Sequence, residues 1–390
     1  MPEILPTIAC NLDRNILTAA LPLFQGARVQ AMEWAFDSLY MQSEIPLWFE
    51  SLLHTFAEAG RLVGHGVYFS IFAGKWSAEQ EKWLIDLEEL AGKYPFDHVT
   101  EHFGFMTGAD FHTGAPLSVP YTPTTLAIGQ DRLRRIQQAA QCPVGLENLA
   151  FAYTPEEVWR QGDFLDRLLS PVNGFLILDL HNLYCQLHNF QLTFENLVQA
   201  YPLQRVREIH ISGGSWETTT TSPDLLIRRD THDDRVPEEV FELLSKALPM
   251  LPNLKYVVLE QLGLGLKTIE QQNQFRHDFN RMSQILESFS QVNTAVVQNH
   301  FEPQKNLPAS RPTESLALHK DQEVLSYILE QSQNHIEAQS ALSQSRLAGS
   351  AWQVERWSPE MLDTALQIAQ KWKKGSSSVR NRKIIGRAPS

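Results

Sequence analysis

Cysteine is scarce in this chain: 390 residues carry three, Cys10, Cys142 and Cys185. They lie far apart and form no C-x-x-C pair, which excludes a disulfide framework and a thiolate zinc site and makes a reducing compartment the expected setting. Long apolar runs are missing as well. No stretch approaches the ~20 residues needed to cross a bilayer. The first residues, MPEILPTIACNLDRN, have no basic region ahead of an apolar one, so no signal peptide is expected. Positive charge is in deficit, with 33 Lys and Arg against 45 Asp and Glu, a formal net charge of −12. That balance argues against sequence-independent nucleic-acid binding, which needs a basic surface to neutralise phosphates. The expectation is a cytoplasmic protein with no membrane or nucleic-acid partner.

What is present is ordinary globular material, 43% apolar and 20% charged, enough for a sizeable core. Residues 1–290 alternate short apolar runs with amphipathic stretches. Strands are expected at Leu5–Leu12, Val29–Phe36, Leu62–Ser70, Phe96–Phe103, Pro143–Leu149, Gly174–Leu180, Val206–Ser212 and Leu254–Gln261. Helical patterns lie between most of them, among them Ser77–Gly92, Thr124–Gln141, Thr154–Leu169 and Pro237–Leu248. Thr154 fits an N-cap, and Pro155 and Pro237 fit a first helical turn. Repeated βα units imply a parallel sheet. Eight of them fit a closed α/β (β/α)8 TIM barrel better than an open sheet, and no Gly-rich phosphate loop follows the first strand. Residues 291–313 are polar and contain proline, which reads as a linker. A helical extension follows over 314–374, with patterns at Glu314–Gln344 and Pro359–Lys374. Residues 375–390 are basic and Ser/Gly-rich, the composition of a disordered tail.

In a parallel barrel the chemistry sits at the C-terminal ends of the strands. Strand three carries His65, strand four Glu101 and His102, and strand five Glu147 and Asn148. Strand six ends in LILDLHNLY, supplying Asp179, His181 and Asn182, with His188 shortly after; strand seven holds Glu208 and His210. Asp230 and His232 follow in DTHDDR, and strand eight ends at Glu260. Residues i and i+2 of an extended segment face the same way, so Glu208 and His210 can both point inward, as can Asp230 and His232 if their loop is extended. Adjacent strand residues face opposite ways, so Glu101 and His181 are candidates to point outward. Burying so many carboxylates without positive charge would cost several kcal/mol each by order of magnitude, and cations are the natural counter-charge. Imidazole with carboxylate and no thiolate suits iron, manganese or zinc. His54, His98, His112, His277, His300, His319 and His335 read as ordinary core or surface histidines.

Taken in order, HGV at His65, EHFGF, ENLA, LDLHNLY, EIHISGG, DTHDDRVPEEV and VLEQ resemble the multinuclear non-heme iron-dependent oxidases, formerly a domain family of unknown function among xylose-isomerase-like barrels. These pieces span residues 60–261. The resemblance implies two or three iron ions, Fe2+ and Fe3+ together, held by His65, His102, Glu147, Asp179, Asn182, His188, Glu208, His210, Asp230, His232 and Glu260. It places Glu147, Asp179, His210 and Glu260 at the reacting centre, with Glu147 bridging two ions. His65 and His102 serve one flank, Asp230 and His232 the other. It also implies O2 as cosubstrate, a Cys-containing, ribosomally made precursor peptide as substrate, and a partner that delivers the peptide leader. The C-terminal helices are a candidate docking element for that partner or a cap without one; the sequence leaves both open. Two departures concern the stretch after Asp179: His181 stands where relatives often have Asn, and His188-Asn189-Phe190 where they usually have Asn-His-Gly. The competing readings are an endonuclease IV-like phosphodiester hydrolase with three zinc ions, a related sugar isomerase, and a degenerate barrel serving as a binding module.

Overall fold

Eight parallel strands close into a barrel in which every strand pairs with its neighbours in sequence and the eighth returns to the first. They are β1 (Leu5–Ala9), β2 (Ala31–Trp34), β3 (Leu62–His65), β4 (His98–His102), β5 (Val144–Glu147), β6 (Phe175–Asp179), β7 (Val206–Ile211) and β8 (Tyr256–Leu259). The computed structural model describes residues 4–371 apart from 42–44, 108–110, 112–113, 222–223, 293–297, 305–307 and 309. His112 and the basic tail lie outside the described residues. Each expected strand coincides with an observed one. The longest expectation, Leu62–Ser70, overran: β3 stops at His65 and the chain turns, reaching a left-handed φ of 53° at Ser70.

Helix boundaries follow local chemistry. Ser77 and Gln80 form a reciprocal capping box at the start of the helix Ala78–Lys93, and Thr154 accepts from Glu157 N ahead of Pro155, satisfying amides that have no partner in the first turn. Pro237 stands one residue outside its helix, Glu238–Ala247. The pattern read as one helix over Glu314–Gln344 is two, Leu316–Gln331 and His335–Ser343. Ser332 is extended and Asn334 caps the second helix through Glu337 N, because Ser and Asn offer the backbone side-chain bonds that compete with helix continuation. Among the described residues, no helix is long and apolar enough to cross a membrane.

The barrel has a floor and a partly walled mouth. Leu176 pairs with Val206 but Ile177 with Glu208, so Arg207 is an extra residue in β7, a bulge that re-aims a side chain. Its guanidinium points to the barrel's N-terminal end, reaching Asp97 Oδ2 (2.7 Å) and His300 O (3.2 Å). There Phe301, fully buried, packs on Phe175 and Ile177. Phe301, within the stretch read as a linker, therefore stoppers the barrel floor, and Asn253 Oδ1 holds the residues ahead of it by accepting from Gln298 N and Asn299 N.

On the outside of the barrel Thr313 bonds Asp131 and Arg132, and from there the chain crosses onto the loops at the C-terminal ends of the strands. Ser315 N donates to Gly74 O, and Gln322 bonds both Gly74 N and Phe72 O. A Cβ on Gly74 would sit 2.4 Å from His319 N, so only glycine admits this approach. Beyond residue 358, helical residues 359–371 reach across to Thr220 through Asp363. Trp357 stacks on Tyr153 of the loop after β5 at 3.6 Å and 8°, with both rings buried. Trp357→Ala is expected to cost roughly 3–5 kcal/mol, the usual range for a buried aromatic cut to alanine. A circular-dichroism melt checks it, and an unchanged Tm would show that the extension does not lean on this contact.

Candidate metal centre

Strand parity brings the ligand-type residues inward. On β4, His98, Thr100 and His102 share the inner face while Glu101 turns outward, accepting from Phe69 N and His102 N. On β7, Glu208 and His210 are both fully buried within the barrel. Glu147 and Asp179 end β5 and β6, and Glu260 follows β8. Ligand atoms of Glu147, Asp179, His210 and Glu260 lie within 4.8 Å of one another, and so do those of His65, His102 and Glu147. Glu147 is common to both groups.

Hydrogen bonds set which nitrogen each histidine offers. Thr100 Oγ1 donates to Gly64 O (3.2 Å), so it receives from His65 Nδ1 (2.8 Å). That leaves the His65 Nε2 lone pair facing Glu147 Oε2 at 3.6 Å. His210 is reversed: Nε2 bonds carboxylates, and Nδ1 faces Glu260 Oε2 at 3.2 Å and Glu147 Oε1 at 3.9 Å. Asp179 caps the helix Leu180–Asn189, its Oδ1 accepting from Asn182 N at 2.6 Å. Asn182 Nδ2 then donates to Glu147 Oε1 (3.2 Å) and Asn148 O (2.8 Å), steadying the shared carboxylate.

Asp230 and His232 meet through a turn rather than an extended loop. His232 adopts a left-handed φ of 51°, a conformation that costs a non-glycine residue on the order of 1–3 kcal/mol. Its Nε2 lies 2.8 Å from Asp230 Oδ1 and its Nδ1 3.2 Å from Glu260 Oε1. His181 faces Asp230 as well, at 2.9 Å, and receives from Arg228 Nε at 3.0 Å.

His188 is not brought to the site. Leu180–Asn189 is a helix starting directly at the strand end, so His188 stands roughly 13 Å along its axis from Asp179 at 1.5 Å per residue. There its Nε2 pairs with Leu226 O and its ring lies edge-on to Trp216. His188→Ala is accordingly expected to retain the wild-type metal content, measured by elemental analysis; loss of one ion would restore it as a ligand.

Two buried groups went unread in the sequence. Glu33 on β2 lies 3.0 Å from His210 Nε2, and His98, taken as an ordinary core histidine, lies 2.5 Å from Glu208 Oε2. Glu33 sits singly inside an apolar run, and its only signal was the inward parity it shares with Ala31. His98 starts its strand instead of ending it.

Burial dominates the electrostatics. It holds His65 well below the usual imidazole range and His102 down to about 4, so both are neutral and ligand-ready. It pushes Glu147 well above the carboxylate range, Asp179 to about 7 and Glu33 to about 8. At His210 and His232 burial is outweighed by facing carboxylates, Glu33, Glu208 and Glu260 for one and Asp230 and Glu260 for the other, and both are raised. Without a metal, protons supply the positive charge. They leave gaps: Asp179 Oδ2 and Asn182 Oδ1 are buried without a hydrogen-bond partner. Such atoms are costly unless something binds them, and carboxylate, amide and imidazole donors at this spacing fit cations of the iron, manganese or zinc type.

Residues 34–271 match the family model described as RiPP precursor modification enzyme MbnB/TglH/ChrH. The chain belongs to this family. Curated relatives of the family region include a UPF0276 protein of Caulobacter vibrioides, 28% identical over 184 residues, covering 47% of this chain and 62% of the relative. Another is a UPF0276 protein of Acaryochloris marina, 30% identical over 155 residues, covering 38% and 54%. The chain thus spans less than two thirds of these relatives' length. Among solved structures, an L-ribulose 3-epimerase aligns over 75% of this chain and 97% of its own, at 13% identity and a TM-score of 0.49. A xylose isomerase-like TIM barrel protein from Mycobacterium smegmatis aligns over 72% and 98%, at 15% identity and 0.44.

Proposed function

We propose that this family member is a multinuclear non-heme iron oxidase that uses O2 to modify cysteine residues of a ribosomally synthesised precursor peptide. The observation that carries the reading is Glu147, a buried carboxylate shared by two adjoining ligand groups, one of which also holds the unpartnered buried Asp179 Oδ2. When bound, two neighbouring ions supply Lewis acidity for a substrate thiol and redox chemistry with O2. His65 and His102 with Glu147 Oε2 would hold one ion; Glu147 Oε1, Asp179, His210 Nδ1 and Glu260 would hold the other. Asp230, His232 and Asn182 border the second group and are candidates for a third. The protein's own part is orientation: Thr100 fixes the His65 tautomer, and Asn182 keeps Glu147 from rotating out of its shared position. The wall formed by the C-terminal extension limits access to one side of the mouth and is a candidate docking element for a leader-delivering partner. Cys10, Cys142 and Cys185 are buried free thiols, in keeping with a reducing cytoplasm.

Metal analysis of anaerobically purified protein tests the reading. Two or more irons per chain, with O2 uptake on adding a Cys-containing peptide, are expected. Stoichiometric zinc with cleavage of abasic DNA would replace the oxidase by a phosphodiester hydrolase.

A further inference from the structure

Beneath the ligand atoms lies a second layer of charge that the proposed chemistry does not itself use. His210 Nε2 points away from Glu147 and Glu260 and lies 3.0 Å from both Glu33 Oε2 and Glu208 Oε1. Glu33, Glu208 and His210 are all buried, at 2%, 0% and 0% exposure. Glu208 is backed from below by His98, whose Nε2 is 2.5 Å from Glu208 Oε2. Arg207 Nε donates to His98 Nδ1 at 3.3 Å. Because arginine only donates, His98 Nδ1 accepts, and its proton sits on Nε2, facing Glu208.

The group Glu33, Glu208 and His210 is close enough to hold a cation of its own, and strand parity alone would make Glu208 a ligand. The geometry decides otherwise. At 3.0 Å the two contacts of Nε2 are hydrogen-bond lengths, and the nitrogen that would have to bind an ion there is the one that donates its N–H to both carboxylates. A neutral imidazole with its proton on Nε2 has its lone pair on Nδ1, the atom that faces Glu260 and Glu147 on the opposite side.

We infer that Glu33 and Glu208 are positioning residues that clamp His210 through Nε2, fix its tautomer and aim Nδ1 at the metal group containing Glu147, Asp179 and Glu260. This rests on the metal reading above. In the loaded site, where an ion takes the place of the protons that the empty fold keeps, the physical effect is twofold: two carboxylates on one N–H hold the ring, and their charge makes the imidazole a better donor at Nδ1. Glu33 sits across the barrel from β7, so the clamp also ties β2 to β7 at the level of the site.

Anaerobic titration with Fe2+ against a competing chelator tests it, on wild type, Glu33→Gln, Glu33→Ala and Glu208→Gln, each first checked for a cooperative melt. Expected is a loss of affinity for one ion of ~10–100-fold in Glu33→Ala, the range for removing such a support. Glu33→Gln, which keeps an acceptor but loses the charge, should fall between it and wild type. The Mössbauer doublet of one iron alone should shift in Glu33→Gln and Glu208→Gln, whereas a merely structural defect would broaden both. Should Glu33→Ala not fold, the two glutamine variants carry the comparison. Wild type that binds no Fe2+ overturns the metal reading and the clamp with it. Wild type that binds, with both Glu33 variants at unchanged affinity and spectrum, overturns the clamp alone. Loss of one whole ion from Glu33→Ala, the others keeping wild-type affinity, overturns it in favour of a separate cation site.

Discussion

Glu147→Gln is expected to abolish turnover while leaving the protein folded. The side chain keeps its volume, but an amide offers one good donor oxygen where the carboxylate offers two, and Glu147 is the residue both ligand groups share. Iron per chain should fall by at least one ion in anaerobic preparations. Peptide-dependent O2 consumption should drop on the order of 10³-fold or more, since a single preorganised charge in such a site is worth about 10²–10³ by itself. The metal-free stability should move the other way. Burial already holds Glu147 well above its ordinary carboxylate range, so its ionised form is a burden on the empty fold. A glutamine removes that burden, and the chelated variant should melt no lower than chelated wild type. A variant with full iron content and near wild-type O2 consumption would refute a shared carboxylate.

The second large effect is a reversal of pH dependence by metal. Asp179 is raised from 3.8 to about 7 and Glu33 from 4.5 to about 8, chiefly by burial. Between those limits the folded chain keeps protons that the unfolded chain releases, so stability falls as pH rises from about 4 to 8. His210 and His232 act in the same direction. Their raised values, due to the facing carboxylates, give stability that is full below about 6.5 and is lost as pH climbs through the folded value. The opposing groups, Glu208, Asp230 and Glu260, are held below the carboxylate range by their histidine partners in spite of burial. Their contribution is lost only as pH falls below about 4. His65 and His102, held low by burial, work the other way below about 6.5, where the unfolded chain takes up protons that the folded one refuses. Chelated protein should therefore lose stability most clearly between about pH 6.5 and 8, as the raised groups are crossed with little opposing titration. In iron-loaded protein ions replace those protons, and the Tm gained on loading should grow from pH 5 to 8. Differential scanning calorimetry with and without chelator reads both curves; parallel curves would mean that these groups do not hold the metal.

The architecture was legible in the sequence because apolar runs and amphipathic stretches alternate with the βα period. The ring was partly legible because DLHN, EIHIS and DTHDD are dense in ligand-type residues. What escaped has specific causes. Glu33 is one acid in QAMEWAF, and only closing β2 onto β1 and β3 sets it opposite His210. His98 precedes its strand's chemistry by two inward positions. His188 was over-read because nothing in LHNLYCQLHN distinguishes an extended exit from a helix, and Asp179 serving as an N-cap decides for the helix. The turn at His232 is invisible too, since a left-handed histidine leaves no compositional mark. The place of Phe301 in the barrel floor is not legible either, because its destination lies far off in sequence on Phe175.

The path from Phe301 to Asp363 bears on how this chain can be cut or recombined. Phe301 stops the tube at its base and residues 315–363 wall its opening, so a chain ended at the last barrel helix would lose both. A gene shortened there would yield a pipe open at the bottom, with water admitted to Arg207 and the carboxylates above it. A cut or graft at that point would change floor and doorway together.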